Sequence, residues 1–394
     1  MSSVKIIACG LSPATLTLEA QSALSTSHFF VGAHRLLANF APRDAEQAEA
    51  YLAEDVAALI DARPGEDCAI LVSGDSGFYS AAAAICRALG QVAEVYPGIS
   101  SLSYFFAKLG RPWQQAKIIS CHGRQGHLLS AVRRNAEVFS LTGNNTSDLL
   151  QHLTDFGFGD LTVTLGENLG FPTEKIRSGQ ARDLAAEQDY SSLTVLLVDN
   201  PSASKAIASG IADGEFIRAS LPMTKRAIRA QVLSLLNLEP DDICLDLGCG
   251  TGSVSIEMAL AAYEGEVIAL DKEEEAGRLI AENARKFQVD NIRFQQGNIP
   301  EFLSTEPRCD KIFLGGGGAQ VMDPVMAFFS DHTEIKRLLL TAISLESLKA
   351  ALDALESNGL SANIMQIQAS HARELGSNHL LMGENPTFIV EVGR

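Results

Sequence analysis

Basic residues are in short supply: 31 Lys+Arg stand against 48 Asp+Glu in a chain of 394 residues, a formal charge of −17. Such a protein repels nucleic-acid phosphates and anionic membrane surfaces overall, and neither half forms a basic module, so no nucleic-acid or membrane partner is expected. If the ligand is itself an anion, Arg and Lys have to be concentrated at its cleft. Cysteine is equally unhelpful for cross-linking. The seven (Cys9, Cys68, Cys86, Cys121, Cys244, Cys249, Cys309) are odd in number, scattered and free of any C-x-x-C pair. That pattern excludes a disulfide framework and a zinc knuckle, and it fits a cytoplasmic protein without a metal site. No apolar run approaches the roughly 18 residues of a membrane span, and MSSVKIIACGLS is too short for a signal-peptide core.

What is present is ordinary enzyme composition, 46% hydrophobic with 32 Gly, and a length that favours two domains. Short β-rich runs (VKIIACG, CAILVSG, QVAEVYPG, AKIISCHG, AEVFSLTG) alternate with helix-prone stretches, which predicts an α/β domain with a mostly parallel sheet. From about residue 160, LTVTLGENLG and SSLTVLLVDNP suggest a second sheet closing the same domain. Small and polar residues then mark a linker at 201–212, between a first domain over 1–200 and a second over 213–394. The second has seven strand candidates: ICLDLGCG, EVIALD, IRFQQGN, KIFLGGGG, RLLLTAIS, SANIMQIQ and TFIVEVGR.

The strongest motif is Ile243-Cys-Leu-Asp-Leu-Gly-Cys-Gly-Thr-Gly252, a strand running into a glycine-rich turn before the helical SVSIEMALAAY. A ligand can approach the backbone at Gly248, Gly250 and Gly252, where side chains would stand in its way, and Thr251 lies in the same turn. Asp271 ends the next strand, where an acid can accept bonds from ribose hydroxyls. A dinucleotide fingerprint would read G-x-G-x-x-G, whereas this stretch reads G-x-G-x-G behind Asp246. A carboxylate there repels pyrophosphate and suits a sulfonium or an ammonium, which favours S-adenosyl-L-methionine over NAD.

LDLGCGTGSVSIE, ALD, QQGNIPEFL and KIFLGGGG, in this order, resemble the class I S-adenosylmethionine-dependent methyltransferases, a Rossmann-like fold. The resemblance implies that Asn298 and Ile299 lie at the adenine. ADGEFIRASLPMTKRAIRAQVLSLLNLEPDD, GNIPEFL, Gly315 to Gly318 and ENPTFIVEVGR look more narrowly like the decarboxylating methyltransferase domain of cobalamin biosynthesis. In the first half, VSGDSGFYSAAA, VYPGISSLSYFFAKLGRPWQQAKIISCHGR and GENLGFPTEKIRSG resemble the tetrapyrrole methylases, a two-part fold. Gly74, Asp75, Ser100 and Ser101 then sit in strand-end loops that would hold the cofactor there.

A family fusing these halves is implied to take precorrin-6Y or a related polyanionic corrin precursor. It would methylate two meso carbons (5 and 15) and decarboxylate the ring C acetate, giving precorrin-8X, with one S-adenosylmethionine site per domain. An alternative keeps only the second domain catalytic, the first being a tetrapyrrole-binding module, because ACGLSPATLT carries only Gly10 where the methylases have a glycine-rich loop. Self-association into a homo-oligomer is expected from the second domain's relatives.

Gripping a polycarboxylate calls for basic groups. Thr224, Lys225, Arg226 and Arg229 in MTKRAIR are the candidates in the second domain, Thr224, Lys225 and Arg229 for catalysis and Arg226 for substrate. On a helix Arg229 shares a basic edge with Lys225 and Arg226, the alternative being a solvated face. Gly316 is the fourth catalytic candidate, offering backbone access for a planar substrate where reacting groups meet the methyl donor, the alternative being a flexible loop. Arg111, His122 and Arg124 are the substrate candidates in the first domain, and His371, Asn378 and His379 are further candidates near the second domain's substrate.

Overall fold

VKIIA, FFVG and CAILV are almost wholly apolar, as strands covered on both faces require. In the computed structural model, which describes residues 3–90, 93–122, 126–206, 209–316 and 318–394, they are the buried centre of a five-stranded parallel sheet. Its strands are β1 (Val4–Ala8), β2 (Phe29–Gly32), β3 (Glu46–Glu49), β4 (Cys68–Val72) and β5 (Glu94–Tyr96), in the order β3-β2-β4-β1-β5. A second five-stranded sheet follows, of β6 (Lys117–Ser120), β7 (Glu137–Leu141), β8 (Thr162–Glu167), β9 (Lys175–Gln180) and β10 (Thr194–Asp199). Its order is β6-β7-β10-β8-β9, with only β6 and β7 parallel.

The second sheet therefore begins some forty residues earlier than the sequence reading placed it. AKIISCHG and AEVFSLTG, assigned there to the parallel sheet, are β6 and β7. An apolar run shows that a strand is buried and not which sheet buries it.

The chain divides into two compact units. Met1–Leu128, Asn135–Thr154 and Gly159–Ser202 form one; Leu129–Arg134, Asp155–Phe158 and Ala203–Arg394 form the other. In the latter all seven expected strands join one sheet: β11 (Ile243–Leu247), β12 (Glu266–Asp271), β13 (Ile292–Gln296), β14 (Lys311–Leu314), β15 (Arg337–Ala342), β16 (Asn363–Ile367) and, after a hairpin, β19 (Thr387–Gly393). The order is β13-β12-β11-β14-β15-β19-β16, with β19 antiparallel to both neighbours. Strand order reverses direction between β11 and β14, the switch point at which open α/β sheets bind ligands beyond their carboxyl ends. The hairpin β17 (Ser370–Leu375) and β18 (Asn378–Gly383) is a separate two-stranded ribbon, exposed along its whole length.

The helix Ser253–Ala261, directly after the glycine turn, is buried from Ser253 to Leu260. A helix covered all round has no polar face. Its one carboxylate, Glu257, therefore has to find its partners inside the protein.

Candidate active site

β11 delivers the chain to a turn that only glycine tolerates. Gly248, Gly250 and Gly252 have φ of +77°, +54° and +74°, a region costly for residues with a Cβ. A Cβ at Gly248 would stand 2.8 Å from Cα of Gly316, at Gly250 2.6 Å from the carbonyl oxygen of Pro222, and at Gly252 2.4 Å from Cγ1 of Ile280. Each glycine lets a neighbouring segment pack close: the loop after β14 at Gly248, the stretch before residue 226 at Gly250 and the helix Glu274–Phe287 at Gly252.

Above the turn lies an open cavity of about 1040 Å³. Gly248 and Gly250, Asp271, Asn298 with Ile299, Gly315 with Gly316, and Thr224 with Lys225 all line it. The structure thus gathers predicted residues from the ends of β11, β12, β13 and β14 into one wall. Asp271 is fixed by its backbone neighbours: Oδ2 accepts the Gly250 N–H at 2.9 Å and Oδ1 the Glu273 N–H at 3.1 Å. Each oxygen keeps a lone pair for a ligand hydroxyl.

Asp246, Thr251 and Gly252 do not line the cavity; Asp246 and Thr251 are fully buried beneath it. Ser255 donates its hydroxyl to Oδ2 of Asp246, while Asp246 Oδ1 and Thr251 Oγ1 have no hydrogen-bond partner. Burial pushes the Asp246 carboxyl up to about 7, opposed by the Ser255 bonds and reinforced by the charge of Asp271. An orphaned buried acceptor under a glycine turn fits a ligand that brings an ammonium, directly or through an ordered water.

Two basic residues are placed differently from the reading of the sequence. Arg229 is not on a basic edge: it is fully buried, and its guanidinium is committed to Glu257, Asp213 and the carbonyls of Thr224 and Ile211. Arg226 is exposed and lines no part of the cavity. The expected concentration of cations is correspondingly absent there. Among the described residues the lining holds Lys225 and Lys272 with Asp271, Glu273 and Glu384, and no arginine.

Sequence reasoning missed Leu221 to Met223, Thr341, Ile343 and Glu384, which also line the cavity. Thr341 is the penultimate residue of β15 and Ile343 the first beyond it, positions any strand-end rule would flag. Glu384 belongs to the ENPTF stretch that was noted only as a resemblance. His371 and His379 lie on the exposed ribbon, His371 with Nε2 3.5 Å from Glu384.

In the first unit, the loops after β1, β4 and β5 converge. Gly10 and Gly74 exchange N–H···O bonds of 3.1 and 2.9 Å, and a Cβ on Gly98 would lie 2.2 Å from the Gly74 carbonyl. Asp75 Oδ1 accepts the Gly77 N–H at 2.8 Å, and Ser100 Oγ caps the helix Ser101–Leu109 by accepting from Ser103. Arg111 is not free for substrate: it holds Asp199 through two bonds and Glu137 through one, in an ion triad across the second sheet. His122 Nδ1 donates to the Thr142 carbonyl at 2.9 Å. Arg124 lies outside the described residues, as does Gly317 of the glycine quartet. Among the described residues no cluster of His, Cys, Asp or Glu could hold a metal ion, and no helix is long and apolar enough to cross a membrane.

A Rossmann-like sheet carrying a glycine turn, a strand-end acid and an open cavity at its switch point defines an α/β enzyme of the methyltransferase class. The family model of the precorrin methyltransferase domain matches residues 216–393, and that of the tetrapyrrole (corrin/porphyrin) methylases matches residues 4–185. A protein of Pyrobaculum calidifontis named probable cobalt-precorrin-6B C(15)-methyltransferase (decarboxylating) is 39% identical over 184 residues, 46% of this chain and 94% of that one. A Sinorhizobium protein named precorrin-6Y C(5,15)-methyltransferase (decarboxylating) is 29% identical over 370 residues, 91% of this chain and 88% of that one. A crystal structure of a precorrin-6Y C5,15-methyltransferase from Geobacter metallireducens, 29% identical, covers 46% of this chain and 95% of its own at a TM-score of 0.43. The chain belongs to the decarboxylating precorrin methyltransferases, the C-methylating enzymes of cobalamin biosynthesis that the sequence resemblance implied.

Proposed function

We propose that the chain methylates precorrin-6Y, or a closely related corrin precursor, at two meso carbons and removes the ring C acetate carboxyl, giving precorrin-8X. The observation that carries this reading is the cavity of about 1040 Å³ at the switch point, whose lining includes Asp271, Asn298 and Ile299 together with Gly315, Gly316 and Ile343. S-adenosylmethionine, when bound, supplies a methyl group on a sulfonium that is already a good leaving group. The protein's task is then to align the acceptor carbon with that methyl and to keep water out. Asp271 takes the ribose, Asn298 and Ile299 take the adenine, and Asp246 takes the charge of the methionine ammonium. Gly315 and Gly316 let a flat macrocycle approach the backbone, while Thr224 and Lys225 meet its carboxylate arms. Losing carbon dioxide leaves a methylene that has to gain a proton, and the conjugated ring holds the electron pair until it does.

A second reading, in which the first unit binds tetrapyrrole without catalysing, is favoured by the Gly10–Gly74 exchange. Backbone groups that would meet a methyl donor are there spent on one another. Incubating the full chain with precorrin-6Y and S-adenosylmethionine separates the two: bifunctional action gives a product with two added methyl groups and one carbon dioxide lost. A product with one methyl and the same loss supports the second reading.

Seven cysteines that are odd in number, scattered and without a C-x-x-C pair suit a cytoplasmic enzyme. Self-association through the ribbon of β17 and β18 is part of the same proposal, because Leu375, Leu380, Leu381 and Met382 are all exposed on it. Leu381→Asp, at a position 77% exposed, should lower the sedimenting mass without lowering the thermal midpoint; an unchanged mass would remove the ribbon from consideration.

A further inference from the structure

Residues 221–225 have no regular secondary structure, and all five line the cavity. Such a wall has to be held by something other than its own hydrogen-bond ladder. Two bonds do this. The Thr251 N–H, in the glycine turn, donates to the Pro222 carbonyl at 3.3 Å, and Nη1 of Arg229 donates to the Thr224 carbonyl at 2.6 Å. Arg229 is held in its turn by Glu257, Nε to Oε1 at 2.6 Å. Glu257 also accepts the N–H groups of Gly210 at 2.7 Å and Ile211 at 3.0 Å. Further along the same segment, buried Asn283 accepts from the Ile217 N–H at 2.8 Å and donates to the carbonyls of Ile217 and Thr251.

Arg229 and Glu257 are 0% and 1% exposed, and neither lines the cavity. A buried ion pair is poor value as a source of stability, because desolvation offsets most of its attraction. Its distinctive property is geometric: a guanidinium has a fixed fork of donors, and here three of its directions end on the segment before the fold. We propose that Arg229 is a positioning residue of the methyl-donor site, which through the Thr224 carbonyl holds the 221–225 wall at the spacing the glycine turn requires. Arg229 never touches donor or acceptor; Thr224 and Lys225 do so on its behalf. The inference rests on the reading of this cavity as the donor site.

The test is titration of S-adenosylhomocysteine into the full-length protein, with thermal unfolding and steady-state kinetics on the same samples. Arg229→Lys keeps a cation beside Glu257 but cannot reach the Thr224 and Ile211 carbonyls together. It should weaken S-adenosylhomocysteine binding at this site by roughly tenfold or more and raise KM for the donor by a similar factor. Lys311→Met is the control, since it breaks another buried pair, Lys311 with Asp242, outside the cavity; it should lower the thermal midpoint and leave donor affinity alone. If Arg229→Lys fails to fold, Asp213→Ala removes a partly exposed partner of Arg229 and should weaken binding in the same direction by a few-fold. Folded variants that bind within twofold of the wild type overturn the inference while the donor site stands. A Gly250→Ala variant that binds S-adenosylhomocysteine as tightly as the wild type shows that no donor occupies this cavity and overturns the donor-site reading itself.

Discussion

Asp246 has no exposed surface, one orphaned oxygen and a carboxyl pushed up to about 7. The folded state holds this proton more tightly than the unfolded chain does, so the group's contribution to stability declines as pH rises from about 4 to about 7. A bound cation acts the other way by favouring the carboxylate. S-adenosylhomocysteine affinity at this site should therefore rise with pH, by up to about tenfold per unit below pH 7, and level off above it. Asp246→Asn should flatten that profile and unfold no earlier than the wild type at pH 8, both measurable by titration and thermal melts across the range. Asp246, Asp271 and the glycines were legible in the sequence because a short motif ties each to a strand end. Arg229 was misread although its signal was present: it stands three, four and seven residues before Val232, Leu233 and Leu236, on the apolar stripe of its helix. Arg111 offered no such signal, since its partners Glu137 and Asp199 lie on distant strands.

The glycine turn acts as the joint between three elements, the end of β11, the loop after β14 and the 221–225 wall. Gly250→Ala should leave the sheet intact by circular dichroism and weaken donor binding by more than about tenfold, since its Cβ would displace the Pro222 carbonyl. Gly90→Ala is the matching control, with a similar φ of +60° and nothing within 4 Å of the added Cβ; it should bind normally. All seven strands of this sheet could be read from the sequence because each is a run of apolar or alternating residues. The ribbon could not, because β17 (SHAREL) and β18 (NHLLMG) bury no face and so carry no periodic pattern. Edge strand β3 (EQAE) was invisible for the same reason.

Over the whole molecule, the charge of −17 does not resolve into a basic cleft in the second unit. With two lysines and three carboxylates lining the cavity, the proposed polycarboxylate substrate would find Lys225 and Lys272 for its acidic arms and would rely on its flat face for the rest of its contact. Ring-face recognition of this kind makes shape, more than salt, the determinant of affinity, and a weak ionic-strength dependence of KM for the macrocycle would show it. The buried contacts of Glu257 and Arg229 have a practical bearing on how the enzyme can be divided. Gly210, Ile211 and Asp213 precede the stretch matched by the precorrin methyltransferase domain, yet they satisfy one fully buried carboxylate and its guanidinium. A fragment cut at residue 216 would keep the Arg229–Glu257 pair but strip it of the Gly210, Ile211 and Asp213 partners in the core, so excising the methyltransferase half with this network intact calls for a cut upstream of Gly210.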